Sequence, residues 1–282
     1  MTNSPSIPRA CVIGYPVKHS RSPMIHSYWL AKYSLVGAYG RAEVAPEDFA
    51  AFLDGMAESG LVGGNVTVPH KETAFRACAV RTPTAEALGA VNTLWIEGGK
   101  LHGDNTDVAG FLGALDAEAP GWDARLKTAV VLGAGGAARA ILQGLKSRGA
   151  QNIRLINRSR SRAEELARHF GGVEIIDWDA RNAALRDADI LVNTTSLGMK
   201  GQPPLDIDLA ALPDHAIVDD IVYVPLETPL LAQARARGLR IVGGLGMLLH
   251  QAVPGFERWF GVRPEVTADL RALIEADVRG AA

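Results

Sequence analysis

The segment Thr128–Leu142, TAVVLGAGGAARAIL, constrains the fold more tightly than any other part of the chain. The apolar run Ala129–Leu132 reads as a buried strand, and the residues after the glycines read as a helix. Between them Gly133, Gly135 and Ala138 stand in GxGxxA spacing. In such a turn the first glycine permits the tight bend and the second lets backbone approach a pyrophosphate. The alanine lets helix and strand pack closely. Free N–H groups and the dipole at the helix N-terminus favour the anion. Glycine turns are common, so the pattern gains its meaning from lying between a strand and a helix.

The second strand, NIRLIN, ends where an NAD site usually carries an acid for the ribose hydroxyls. Here the position is held by Asn157, followed by Arg158, Ser159, Arg160, Ser161 and Arg162. A carboxylate would repel a 2′-phosphate, whereas guanidinium groups hold one, so the segment points to NADP(H). Ser161 and Glu164 match a capping box, which puts Arg162 in the first turn of the next helix. The dipole disfavours arginine there, and an anionic ligand gives a reason for it. Three solvated surface arginines are the alternative.

Strand-like and helix-like runs alternate on both sides of this unit. Ala10–Ile13 and Leu61–Val68 read as strands, Met24–Tyr33 and Phe49–Ser59 as helices. Thr82 and Thr228 read as N-caps, each with proline at the first helical position. Later strands are DADILVNTT, HAIVDDIVY and LRIVGG, and Met247–Val278 is helical with interruptions near Pro254 and Pro264. Such alternation makes an α/β protein with a parallel sheet, and 282 residues suit two domains. The 29 basic and 31 acidic residues nearly cancel, which gives no reason to invoke nucleic acid or an anionic membrane. Cys11 and Cys78 have no neighbouring cysteine, and the histidines lack metal-ligand spacing, so no metal site is expected. Met1–Arg9 lacks the apolar core of a signal peptide, and no run is long enough to span a bilayer. The chain reads as cytoplasmic.

Four stretches offer chemistry. Gly98–Gly99 makes a two-residue hairpin turn that sets Glu97 opposite Lys100. Counting back pairs Asn92 with Asn105, so Asn92 and Asp107 belong to one end of the hairpin. In GGNVTVPHKE, Lys71 follows Pro69 by two residues and suits the first position of a helix, where the dipole disfavours its charge. A lysine so placed can take part in proton transfer, or it can reach out to water. Asp107 in HGDNTD could share a substrate proton with it, or belong to a turn and helix cap. Ser20 and Ser22 in HSRSP are loop-turn serines or carboxylate contacts. Spacing alone leaves these alternatives open.

Taken together, these segments make the chain resemble the shikimate dehydrogenase family nearly end to end. The matching stretches, in the family's order, are GYPVKHSRSPMIH, NVTVPHK, GAVNT, GDNTD, GAGGAARA, NRSRSRA, NTTSLGM, DIVYVPLETPLL and GLGMLLHQA. The resemblance implies reversible NADPH-dependent reduction of 3-dehydroshikimate to shikimate, in aromatic amino acid biosynthesis. It implies Lys71 and Asp107 as the catalytic pair, with Asp107 positioning the lysine. Ser20 and Ser22 become carboxylate contacts, with Asn65, Thr67, Asn92, Tyr223 and Gln251 around the substrate. Gly133, Gly135, Gly136 and Ala137 would face the pyrophosphate, and Asn157, Arg158, Ser159 and Arg162 the adenosine phosphate. Thr195, Gly244 and Met247 fall toward the nicotinamide.

The implied plan is a substrate domain over residues 1–107 with a mostly parallel sheet, then a Rossmann-type NADP domain over 108–243. Helices over 244–282 return to the first domain, leaving a cleft between the two, in a monomer or homodimer. Two positions depart from the family. Gly243–Gly244 stands where Asp-Gly is usual, and Val224 where asparagine is usual. The alternatives are a quinate/shikimate paralogue with broader substrate or NAD use, and a catalytically silent NADP-binding regulator.

Overall fold

A computed structural model describes residues 7–280. The N-terminal reading rests largely on Met1–Ser6, which lie outside the described residues, as do the last two residues of the C-terminal segment. The chain divides into two units. One runs through Thr106 and takes in Gln251–Ile274; the other holds Asp107–His250 and resumes at Glu275.

The strands of the first unit are β1 (Arg9–Gly14), β2 (Ala38–Glu43), β3 (Leu61–Val66), β4 (Val80–Arg81), β5 (Thr93–Glu97) and β6 (Lys100–Asp104). They form one sheet in the order β2-β1-β3-β5-β6-β4. β1 pairs in parallel with β2 and β3, and β4 with β6, while β5 runs antiparallel to both its neighbours. Side chains alternate across β1. Cys11 and Ile13 pack with Phe49, Leu53 and Val66, whereas Ala10 and Val12 pack with Tyr39, Trp95 and Trp259.

Helices α1 (Ser22–Lys32), α2 (Phe49–Asp54), α3 (Lys71–Ala77) and α4 (Pro83–Leu88) complete this part. Thr82 caps α4 by accepting the Ala85 N–H at 3.2 Å. The hairpin has the register expected from its turn, Glu97 opposite Lys100 and Thr93 opposite Asp104. Gly98 and Gly99 both have positive φ, 58° and 71°, as a type I′ turn needs.

Several boundaries differ from the sequence reading: α1 runs from Ser22 to Lys32 rather than from Met24 to Tyr33, and the C-terminal helix opens at Gly244 rather than Met247. α2 stops at Asp54 rather than Ser59, and the chain continues in turns to Gly60. β3 stops at Val66, because Pro69 has no N–H to extend a ladder and the Thr67 carbonyl already accepts the His70 N–H at 3.0 Å. The C-terminal helix is not broken at Pro254, as set out below.

The second unit contains β7 (Thr128–Leu132), β8 (Asn152–Ile156), β9 (Val173–Ile176), β10 (Ile190–Asn193), β11 (Ile217–Asp220) and β12 (Arg240–Gly243). All pair in parallel, in the order β12-β11-β10-β7-β8-β9. Order reverses at β7, the doubly wound arrangement whose switch point binds nucleotides.

Helices α5 (Asp107–Glu118), α6 (Gly136–Ser147) and α7 (Arg160–Phe170) supply apolar side chains to one face, and α8 (Pro229–Ala236) to the other. Burial on both faces explains why β7 is apolar at consecutive positions. α9 (Gly244–Phe260) runs through Pro254, and α10 (Ala268–Gly280) ends the described chain. Pro254 removes one helical hydrogen bond, yet buried Val253, Phe256 and Trp259 around it keep the helix continuous.

Asp219 sits in β11 at 3% exposure, between Val192 and Val242 of the neighbouring strands. Burial, then the charges of Asp220 and Glu118, push its pKa well above the ordinary carboxylate value. A raised folded-state value means that stability is full below the unfolded value of about 4 and declines as pH rises above it. Asp219→Asn is therefore expected to raise Tm at neutral pH and to leave it nearly unchanged below about pH 4, as thermal unfolding at the two pH values will show.

Candidate active site

In the first unit, the loop after β1 presents Ser20 and Ser22. The Ser22 N–H donates to Ser20 Oγ at 3.3 Å, and the two hydroxyls lie 3.2 Å apart. Ser22 opens α1 and is buried, while Ser20 is half-buried. Asn65 on β3 is buried at 5% exposure. Its Oδ1 accepts from the Tyr39 hydroxyl at 2.6 Å, and its Nδ2 donates to the Asn92 carbonyl and to Thr93 Oγ1. Thr67 follows β3, half-buried, with its N–H on the Ile13 carbonyl at 2.9 Å.

Lys71 is the first residue of α3 and half-buried. The preceding residue fixes that helix start: His70 Nε2 lies 2.8 Å from the Val44 carbonyl, and its ring stacks on Phe49 at 4.1 Å. The Lys71 carbonyl accepts the Val91 N–H at 2.9 Å. Next in the chain, Asn92 turns its Oδ1 toward Thr106, accepting the Thr106 N–H at 2.8 Å, with the Thr93 and Thr106 hydroxyls at 2.9 and 3.1 Å. Asp107 follows directly as the first residue of α5. The dipeptide Val91–Asn92 therefore ties the Lys71 backbone to the residue before Asp107. The Asp104 carbonyl accepts the Asn92 N–H at 2.9 Å, while its carboxylate is turned elsewhere and accepts from the Thr82 hydroxyl and the Asn105 N–H. Gln251 lies half-buried on α9 within the same unit.

In the second unit, β7 leads into a turn with Gly133 at φ 101°. A side chain at Gly133 would place Cβ 2.6 Å from Thr194 Oγ1, so both conformation and space demand glycine. Gly135 and Gly136 are different: a Cβ on either would meet nothing within 4 Å. Gly135 is the N-cap residue of α6, and Ala138 is fully buried beneath the helix. With Ala137 half-buried beside them, the exposed glycines leave the helix N-terminus open to an anion such as pyrophosphate.

Asn157 braces this turn by accepting the Ala134 N–H at 3.2 Å and donating to the Ser159 carbonyl at 2.8 Å. α7 starts at Arg160 with Ser159 at the N-cap position, not at a cap on Ser161. The Ser159 hydroxyl lies 3.0 Å from Ser161 Oγ, and Arg162 remains in the first turn. Arg160 is neutralised by Glu164 and Asp177. Arg158 and Arg162 are exposed and form no ion pair among the described residues, so two guanidiniums remain for an anion.

The far ends of β10 and β11 are held by a buried network. Thr195 donates to Asn193 Oδ1 at 2.7 Å, Asn193 Nδ2 to Asp220 at 2.9 Å, and Thr228 to Asp220 at 2.6 Å. Desolvation raises the pKa of Asp220 against these hydrogen bonds. Tyr223 lies half-buried just past β11. Gly244 opens α9 against the Ile221 carbonyl, where any Cβ would collide, and Met247 packs one turn further along. Gly243 has ordinary van der Waals room, so its departure from the family's usual aspartate is not imposed by space.

Sequence reading missed Tyr39, Thr93 and Thr106 as the groups that hold Asn65 and Asn92. Their signal is weak, since Tyr39 and Thr93 reach Asn65, and Thr106 reaches Asn92, from segments remote along the chain.

The strand order and open glycine turn of the second unit define a dinucleotide-binding protein. Three family models match the chain: shikimate dehydrogenase substrate binding domain over residues 12–94, shikimate / quinate 5-dehydrogenase over 117–199, and shikimate 5'-dehydrogenase C-terminal domain over 244–274. The chain is 61% identical over 275 residues to shikimate dehydrogenase (NADP(+)) of Methylocella silvestris, covering 97% of this chain and 98% of the relative.

Among solved structures, shikimate 5-dehydrogenase from Thermus thermophilus in complex with NADP(H) and shikimate is 34% identical with a TM-score of 0.84, covering 98% and 100% of the two chains. Quinate dehydrogenase from Corynebacterium glutamicum in complex with NAD is 31% identical with a TM-score of 0.89, covering 95% and 99%. The chain belongs to the shikimate dehydrogenase family.

The two glycines should respond differently to the same change. Gly133→Ala is expected to destabilise the fold by about 2–4 kcal/mol through strain and collision, and Gly135→Ala by less than about 1 kcal/mol. Urea unfolding of the two variants measures both.

Proposed function

We infer that this chain catalyses the reversible NADPH-dependent reduction of 3-dehydroshikimate to shikimate. The observation that supports the reading is the Val91–Asn92 link, which joins the Lys71 carbonyl to Thr106, the residue before Asp107. Ser20 and Ser22 bind the substrate carboxylate through their hydroxyls. Asn65, Thr67, Asn92, Tyr223 and Gln251 surround the ring and its hydroxyls.

Bound at Gly133, Gly135, Gly136 and Ala137, the reduced nicotinamide nucleotide supplies the hydride that the C3 carbonyl accepts. Lys71 donates or orients the proton for the oxygen as negative charge develops there, and Asp107 hydrogen-bonds the same oxygen. In the reverse direction Lys71 takes that proton back.

Arg158 and Arg162 hold the 2′-phosphate, with Asn157 and Ser159 beside the adenosine ribose. Because Arg160 is already neutralised, its two neighbours make the distinction between NADP and NAD. Thr195, Gly244 and Met247 line the nicotinamide side. The substrate is a small molecule, and no helix among the described residues is long and apolar enough to cross a membrane. A cytoplasmic monomer or homodimer goes with this reading.

Lys71→Ala is expected to lower kcat on the order of 10²–10⁴-fold while leaving the Kd for NADP+ nearly unchanged, as steady-state rates and cofactor titration will show. Near-normal turnover would remove Lys71 from the chemistry. Replacing Arg158 and Arg162 together by alanine is expected to weaken NADP+ binding roughly 10- to 100-fold, the worth of charge-assisted hydrogen bonds. NAD+ binding should be little altered; equal losses for both nucleotides would contradict the assignment.

A further inference from the structure

β2 is an edge strand and is largely exposed, with Tyr39 its one buried residue. Alternate residues of a strand share a face, so Tyr39, Arg41 and Glu43 point the same way. Two of them bond the loop that carries the serines: Glu43 Oε2 accepts the Val17 N–H at 3.2 Å, and Arg41 Nη2 donates to the Ser20 carbonyl at 2.7 Å.

The Tyr39 hydroxyl donates to Asn65 Oδ1 at 2.6 Å. That bond fixes the Asn65 amide. With Oδ1 held by Tyr39, Nδ2 must face the Asn92 carbonyl and Thr93 Oγ1, as observed at 3.3 and 3.2 Å. One hydroxyl thus sets the orientation of the Asn65 amide.

Tyr39 itself is held rigidly. Its ring stacks on the fully buried His26 at 3.9 Å with 10° between planes, and Trp259 lies 5.8 Å away. Burial pushes His26 down to about 3 and Tyr39 well above the ordinary phenol value. Both rings are therefore neutral over the working pH range, and the phenol keeps the proton it donates.

We propose that the face of β2 carrying Tyr39 and Arg41 shapes the substrate-binding site, with Tyr39 the principal positioning residue: its hydroxyl fixes Asn65, and Arg41 fixes the Ser20 backbone. The proposal rests on the reading of Asn65 and Ser20 as substrate contacts. Loss of the Tyr39 hydroxyl leaves the ring, its stack and the chemistry at Lys71 in place. It leaves a buried Asn65 acceptor without its donor.

The test uses the full chain and four variants, Tyr39→Phe, Arg41→Ala, Asn65→Ala and the Asn65→Ala/Tyr39→Phe double, with KM for shikimate, KM for NADP+ and kcat measured for each. Tyr39→Phe is expected to raise the KM for shikimate on the order of 10-fold, with kcat and the KM for NADP+ changed less than about threefold. Arg41→Ala, on an exposed side chain that does not endanger folding, is expected to raise the same KM about threefold. In the Asn65→Ala background the further effect of Tyr39→Phe should shrink well below 10-fold, because the two residues act as one unit.

A raised KM in Asn65→Ala with normal KM in both Tyr39→Phe and Arg41→Ala would overturn the proposal while sparing the reading of Asn65 as a substrate contact. Fully multiplicative penalties in the double variant would also overturn it. A normal KM in Asn65→Ala would remove that reading and the proposal with it. If Tyr39→Phe does not fold, the shikimate KM of Arg41→Ala decides alone.

Discussion

One buried amide holds together the segments around the candidate active site. Asn92 turns its side-chain carbonyl toward Thr106 and its backbone toward Asp104 and Val66, while its neighbour Val91 donates to the Lys71 carbonyl. From the lysine at the start of α3 to the aspartate at the start of α5 the chain runs through two helices, a short strand and a hairpin. Val91 and Asn92 join the Lys71 carbonyl to Thr106, the residue before that aspartate, and a buried amide left without its partners would cost more than those bonds contribute.

The nucleotide-binding unit works in a different way, leaving positive potential uncompensated at chosen points. Gly135 and Gly136 expose the N–H groups of α6, and Arg158 and Arg162 keep their charge, while Arg160 between them is neutralised by two carboxylates. Behind this surface the Thr195–Asn193–Asp220–Thr228 network gives the strand ends a fixed shape. Polar groups there are costly to bury, and each is compensated by a named partner. Asp219, one residue away, has burial without such compensation, and its raised pKa records the difference.

Features governed by near neighbours could be read from the sequence. The glycine turn, the caps at Thr82 and Thr228, and the register set by Gly98–Gly99 each follow from a few consecutive residues, and the structure has them in place. Features set by remote packing could not. A capping-box pattern at Ser161 was overridden by a helix that starts at Arg160, and Pro254 is carried inside α9 by the aromatic core around it. Asn65 and Tyr39 meet across 26 residues of chain, so the hydroxyl that orients the amide leaves no mark in either local pattern. Family likeness implies the roles of the site residues; the bonds that hold those residues in place run between segments remote in sequence.

The most direct test of the account is the initial rate of reduced-nicotinamide oxidation by the purified chain, with NADPH or NADH paired in turn with 3-dehydroshikimate or 3-dehydroquinate. The account predicts that NADPH with 3-dehydroshikimate gives a kcat/KM above every other pairing by on the order of 10-fold or more, the worth of one charge-assisted contact at the 2′-phosphate and one ring-hydroxyl contact. Equal rates with NADH, a preference for 3-dehydroquinate, or no turnover with any pairing would contradict it.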